Sequence, residues 1–343
     1  MRSGRVAALI AAGVAVGAAA SGCGTASDEG SDGKLTVVTG IYPLEWLAVQ
    51  VGGDHVEVTN LTEPGAEPHD LELSPPQIRT IHNADVNFFI TGLQPAVDDA
   101  IAKEGGERAL DVADLVDLLP FDEAAHDHDA TDHDHDATDD GHDHGHDHAH
   151  EDEGDDHGHD EGAGDGHDHG DEDPHMWQDP ELMAEAATGL AERLAEADPD
   201  HADDYTANAE RVGTELDAID DEFSSGLKEC KSRELLTNHS AFGYLAHRYD
   251  LNQVGISGLD PESEPSPARI AEVARLVKDK EITTVFTETL ASPVVAETIA
   301  DETGAKTAVL DPVEGITDES PGTDYPSVMR ANLAAIQEGL GCS

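Results

Sequence analysis

The sequence predicts an α/β protein made of two βα lobes. Each lobe is built on a parallel sheet, one long rigid helix joins them, and a disordered His-rich loop interrupts the first. Three observations carry this expectation. Short apolar, β-branched runs alternate with amphipathic segments on both sides of the chain's middle, the pattern of βαβ units. Between the two series, Pro199 to Gly226 carries Tyr205, Ala209, Val212, Leu216, Ile219 and Phe223 at spacings of three or four, which is one helical stripe. Asp122 to Asp173 holds thirteen of the twenty histidines and twenty-three Asp or Glu, without a single Lys or Arg. Such a stretch has too little apolar surface to offset the entropy of ordering it.

The elements follow in order. Arg2 and Arg5 precede an apolar run from Val6 to Ala20, long enough for a secretory h-region and too short to cross a bilayer. Residues 1–22 are therefore expected to be a signal peptide. The run ends Ala20-Ser21-Gly22-Cys23, small residues before a Cys that resemble the lipobox of bacterial lipoproteins, so Cys23 is expected to carry the lipid. Residues 23–33 are small and polar, as a flexible tether would be. The first lobe is expected to span 34–198. Leu35 to Thr39, Val56 to Leu61 and Asp85 to Ile90 read as its strands; Pro43 to Val51, Pro75 to His82 (capped by Ser74) and Pro95 to Lys103 read as its helices. Within it, 122–173 is the His/Asp-rich loop, and Pro180 to Ala197 is a helix. The connecting helix is expected at 199–226 and the second lobe at 227–343. In that lobe Glu234 to Thr237, Asn252 to Ile256, Ile282 to Phe286 and Thr307 to Leu310 read as strands. Ala241 to Tyr249, Pro265 to Lys280, Pro293 to Thr303 and Tyr325 to Leu340 read as helices.

The formal net charge is −57. Even without the His-rich stretch the remainder is strongly acidic, which excludes nucleic acid as a partner, since its recognition needs a basic surface. Two cysteines remain after Cys23. An even pair in an exported chain predicts a disulfide between Cys230 and Cys342. The chain is expected to act as a monomer.

Two sets of residues point to metal. In the loop, His126, His128, His133, His135, His142, His144, His146, His148, His150, His157, His159, His167 and His169 alternate with carboxylates. Imidazole beside carboxylate is what a borderline divalent cation such as Zn²⁺ takes, so these form an expected secondary, weak site. The second set is sparse. In open α/β sheets ligands bind outside the carboxyl ends of the strands. His69 and His239 follow strands, and His175 sits in the turn Asp173-Pro174-His175. Asp311, directly after the strand Thr307 to Leu310, holds the equivalent place in the last unit, with Glu314 as its competitor. Three His and one carboxylate suit tetrahedral Zn²⁺. His55, His82, His201 and His247 read as surface or packing residues. A closed shell of four protein ligands argues against a catalytic zinc, which keeps an open position for water.

At these residues the chain resembles the zinc and manganese solute-binding proteins of bacterial ABC importers, the ZnuA-like and AdcA-like lipoproteins of TroA-like fold. The matching stretches are Ile41-Tyr42-Pro43-Leu44, Pro64-Gly65-Ala66-Glu67-Pro68-His69-Asp70 and Asp173-Pro174-His175-Met176-Trp177. Further matches are Asn238-His239-Ser240-Ala241-Phe242-Gly243-Tyr244, Ile256-Ser257-Gly258-Leu259 with Glu264-Pro265-Ser266-Pro267, and Leu310-Asp311-Pro312-Val313-Glu314-Gly315. The resemblance covers about Lys34 to Cys342. It implies two lobes on a long helix with metal in the cleft, held by His69, His175, His239 and Asp311. His239 favours Zn²⁺ over Mn²⁺, because in some manganese members a carboxylate stands there. Pro68 stands where some relatives keep an acidic residue before the first His, so Glu67 is given no ligand role. The function implied is capture of zinc outside the cytoplasm, on a lipid anchor at the outer face of the cell membrane, and delivery to an ABC importer permease and its ATPase. A zinc buffer or metallochaperone, or a manganese-binding relative, is the alternative.

Overall fold

The computed structural model describes residues 33–121 and 172–343. Cys23 and the thirteen histidines of the tract lie outside the described residues. Two four-stranded sheets, all parallel, carry the fold. The first takes β1 (Leu35–Thr39), β2 (Val56–Asn60), β3 (Val86–Phe89) and β4 (Ala109–Asp111) in the order β2-β1-β3-β4. The second takes β5 (Glu234–Thr237), β6 (Asn252–Gly255), β7 (Thr284–Thr287) and β8 (Lys306–Val309) in the order β6-β5-β7-β8. The two lobes thus share one connectivity. In each, the strand order reverses between the first and third strands, the place where such sheets leave a crevice at their carboxyl ends.

Between the strands run α1 (Tyr42–Gly52), α2 (Pro75–Asn83) and α3 (Pro95–Glu104) in the first lobe. The second lobe has α6 (Gly243–Arg248), α7 (Pro267–Asp279), α8 (Val294–Thr303) and α9 (Tyr325–Leu340). Prolines at the first turns of α1, α2, α3 and α7 sit where a missing N–H costs nothing. Ser74 and Gln77 form a capping box at α2. Among the strands of the described residues, β4 alone is not read from the sequence. Three residues, Ala109–Asp111, are too few for a periodicity to register.

The lobes are joined by α4 (Pro180–Ala197) and α5 (Ala202–Gly226), packed on each other. The expected single helix from Pro199 begins instead with a 3₁₀ turn, Pro199–His201, before α5. At 1.5 Å per residue, α5 runs about 37 Å, and it touches α1 of the first lobe and α9 of the second. Its predicted stripe, Tyr205, Ala209, Val212, Leu216, Ile219 and Phe223, is the buried face. One hydrophobic core runs unbroken from Leu44 and Phe88 through Leu190 and Leu216 to Tyr244 and Leu333. Two smaller cores lie between the sheets and helices packed on them, one around Ile81 and Ile101, the other around Val273 and Ile299. The continuous core ties the lobes together and fixes the crevice between them. Cys230 and Cys342 are disulfide-bonded, pinning the end of α9 to the segment that enters β5. Among the described residues no helix is long and apolar enough to cross a membrane.

Candidate metal centre

The two crevices face each other, and three imidazoles and one carboxylate meet between them. Nε2 of His69, His175 and His239 lie 3.5, 3.6 and 3.5 Å from Oε1 of Glu314. One donor atom from each of the four residues falls within 4.8 Å of all the others. All four of these atoms are buried and lack a hydrogen-bond partner. A buried polar atom without a partner is costly; four aimed at one point fit a cation that is hard to replace by anything else.

Each donor is positioned by its own element. His69 sits on the Pro- and Gly-containing loop after β2. Gln94 Nε2 donates to Pro68 O at 3.1 Å and to Thr62 Oγ1 at 3.0 Å, anchoring that loop to the start of α3. Gly40, directly after β1, lies beside it; a Cβ there would stand 2.1 Å from Gln94 Oε1, so only glycine leaves the amide its place. His175 precedes the 3₁₀ turn Met176–Gln178, and Trp177 and Gln178 both donate to Pro312 O, at 2.8 and 2.5 Å. His239 follows β5 and meets Glu288, which follows β7, at the point where the strand order reverses.

Two imidazoles have their tautomer set. His175 Nδ1 is 2.7 Å from Asp173 Oδ1, and His239 Nδ1 is 2.6 Å from Glu288 Oε2. A carboxylate only accepts, so each Nδ1 carries the hydrogen and each Nε2 is left to face the cleft. The same carboxylates also accept the backbone N–H groups of His175 and His239. Asp173, the last residue of the expected disordered stretch, is in fact fully buried and works as this orienting group.

The charges are interdependent. Burial disfavours the imidazolium of His175 and of His239, but Asp173, Glu288 and Glu314 outweigh it and hold both above the usual histidine range. Burial also opposes ionisation of Glu314, yet the three imidazoles outweigh it and keep its carboxyl well below the usual range. Glu67 is pushed up to about 8 by burial and by Glu314, against the His69 N–H that its Oε1 accepts. Protonation of His175 and His239 is thus favoured while the site holds no metal, and a divalent cation competes with those protons.

The fourth position departs from the expectation. Glu314, not Asp311, brings its carboxylate to the imidazoles. Asp311 is turned away and spent: Oδ1 accepts Val313 N–H at 2.8 Å and Oδ2 accepts the Thr289 hydroxyl at 3.1 Å. With its carboxylate folded back on Val313 N–H and the Thr289 hydroxyl, Asp311 does not join the cluster. Glu288 was missed, although it follows a strand directly, the same signal that singled out His239 and Asp311. Among the described residues, His55, His82, His201 and His247 are not part of the cluster.

The family described as zinc-uptake complex component A, periplasmic (ZnuA), matches residues 37–339. The zinc-binding lipoprotein AdcA of Streptococcus pneumoniae serotype 4 is 34% identical over 314 residues, covering 90% of this chain and 56% of that protein. The chain thus spans about half the length of the curated relatives it first matches. The high-affinity zinc uptake system protein ZnuA of Bacillus subtilis is 30% identical over 328 residues, 93% of this chain and 92% of that one. Among solved structures, the Zn(II)-bound ZnuA-like domain of S. pneumoniae AdcA superposes with a TM-score of 0.68 at 29% identity, over 90% of this chain and 99% of that one. The laminin-binding protein Lmb of Streptococcus agalactiae, described as having adhesin and metal transporting activity, gives 0.70 at 28%, over 89% and 99%.

Proposed function

Because the chain belongs to the zinc-uptake complex component A (ZnuA) family, we propose that it captures Zn²⁺ outside the cytoplasm and delivers it to an ABC importer permease with its ATPase. The observation that carries this is the convergence of four buried donor atoms without partners, from His69, His175, His239 and Glu314. Three imidazoles and one carboxylate are the donor set of tetrahedral zinc, whereas Mn²⁺ favours more oxygen. A filled shell leaves no position for an attacking water, so binding rather than hydrolysis is the chemistry.

Asp173 and Glu288 hold two ligands ready, which lowers the cost of capture. Residues 23–33 act as a tether from a lipid on Cys23, residues 34–198 and 227–343 as the lobes, and 199–226 as their connector. The histidines from His126 to His169 act as a weak collecting site, and the protein works as a monomer. Deleting the gene is expected to abolish growth under zinc chelation. The wild-type chain should restore it, and His175→Ala should not. Full restoration by His175→Ala would overturn the proposal.

A further inference from the structure

Asp311 is buried, 1% exposed, and does not reach the cleft, yet everything around it converges on Glu314. Asn332 of α9, also 1% exposed, clamps its backbone: Asp311 N donates to Asn332 Oδ1 at 2.9 Å, and Asn332 Nδ2 donates to Asp311 O at 2.6 Å. The Asp311 side chain takes the Thr289 hydroxyl on one oxygen and the Val313 N–H on the other. Pro312 O is held by Trp177 and Gln178, in the turn directly after His175. Val313 is buried at φ 64°, a left-handed conformation that a β-branched residue adopts only when its surroundings impose it. Glu314 comes next. Its Oε1 accepts no protein hydrogen bond, so beside the imidazoles 3.5–3.6 Å away it is the backbone that delivers it that sets where it points.

From this geometry we infer that Asp311 is a positioning residue for zinc capture: its carboxylate holds Val313 in the strained turn that aims Glu314 at the three imidazoles. The inference rests on the zinc-capture reading. Groups that orient a ligand without touching the metal typically contribute ten- to a hundredfold in affinity. The opposite expectation, an independent structural role, predicts lost stability with unchanged coordination.

A double-mutant cycle in the full chain separates the two. Zinc affinity is measured by chelator competition, and the coordination shell by the visible spectrum of the Co²⁺-loaded protein. Asp311→Ala is expected to weaken zinc about tenfold or more and to give the Co²⁺ spectrum of Glu314→Ala. Asp311→Ala with Glu314→Ala together should bind no more weakly than Glu314→Ala alone. Asp311→Asn, which keeps an oxygen for Val313 N–H and can reach Thr289, should recover most of the affinity. If Asp311→Ala does not fold, Thr289→Val decides: it should weaken zinc several-fold with the metal-free melting temperature unchanged. Losses that add in the double variant, wild-type affinity in Asp311→Ala, or wild-type affinity in Thr289→Val would overturn the inference. Failure of the wild-type chain to bind zinc would instead overturn the zinc-capture reading itself.

Discussion

His239 Nδ1 lies 2.6 Å from Glu288 Oε2, and that contact decides which nitrogen of His239 faces the cleft. The two residues follow neighbouring strands, β5 and β7, so the sheet itself brings them together. Glu288→Ala should free the ring to rotate and to change tautomer. Zinc affinity should fall ten- to a hundredfold, and Glu288→Gln should lose less, because the amide oxygen still accepts from Nδ1. Chelator competition reads both; an unchanged affinity in Glu288→Ala would remove Glu288 from the site.

Acid and metal should compete for the same nitrogens. His175 and His239 are held above the ordinary value of about 6.5. Their raised values stabilise the metal-free fold fully below that pH, and the contribution is lost as pH rises through them. Glu314 is depressed, so its contribution is present above about pH 4.5 and is lost on further acidification. The metal-free site thus stabilises most between roughly pH 5 and 6.5. Zinc binding needs the protons gone and should show the reverse trend. The rise in melting temperature on adding zinc should grow steadily from pH 6 to pH 8. A shift that shrinks over that range would contradict the charge assignment.

Much of this was legible in the sequence, and the limits have physical causes. Strand–helix alternation carried the two lobes, because buried parallel strands read as apolar runs. Position after a strand carried His69 and His239, because sheet topology fixes where such residues point. The fourth ligand was not legible. Asp311 and Glu314 are three residues apart on one loop, and the choice between them turns on Val313 adopting a positive φ, which no side-chain pattern announces. Asp173 was assigned to the tract because its neighbours are acidic. Its role appears only when its oxygen is seen 2.7 Å from His175.

The disulfide should matter for stability and not for capture. Cys230 and Cys342 are separated by 112 residues, and they sit at the end of β5 opposite His239. In the chain-entropy model such a crosslink contributes about 5 kcal/mol. Cys230→Ser should lower the melting temperature markedly and leave one tight zinc per chain. Loss of the tight zinc from a variant that remains folded would contradict this separation.

The His-rich tract should be removable. Pro120 and Glu172 pair as an antiparallel bridge, and Asp173 N donates to Leu119 O at 2.8 Å, so the chain leaves and returns at one place. Deleting 124–171 with a short glycine link should keep one tight step in calorimetry and abolish the additional weak ones. Loss of the tight step would make the tract part of the primary site.

The most direct measurement is anomalous diffraction at the zinc edge from zinc-loaded crystals of the tract-deleted chain. It should give one peak in the cleft, with Nε2 of His69, His175 and His239 and an oxygen of Glu314 all at about 2.0–2.2 Å. A peak bound by Asp311 in place of Glu314, or no peak among the three histidines, would contradict the site.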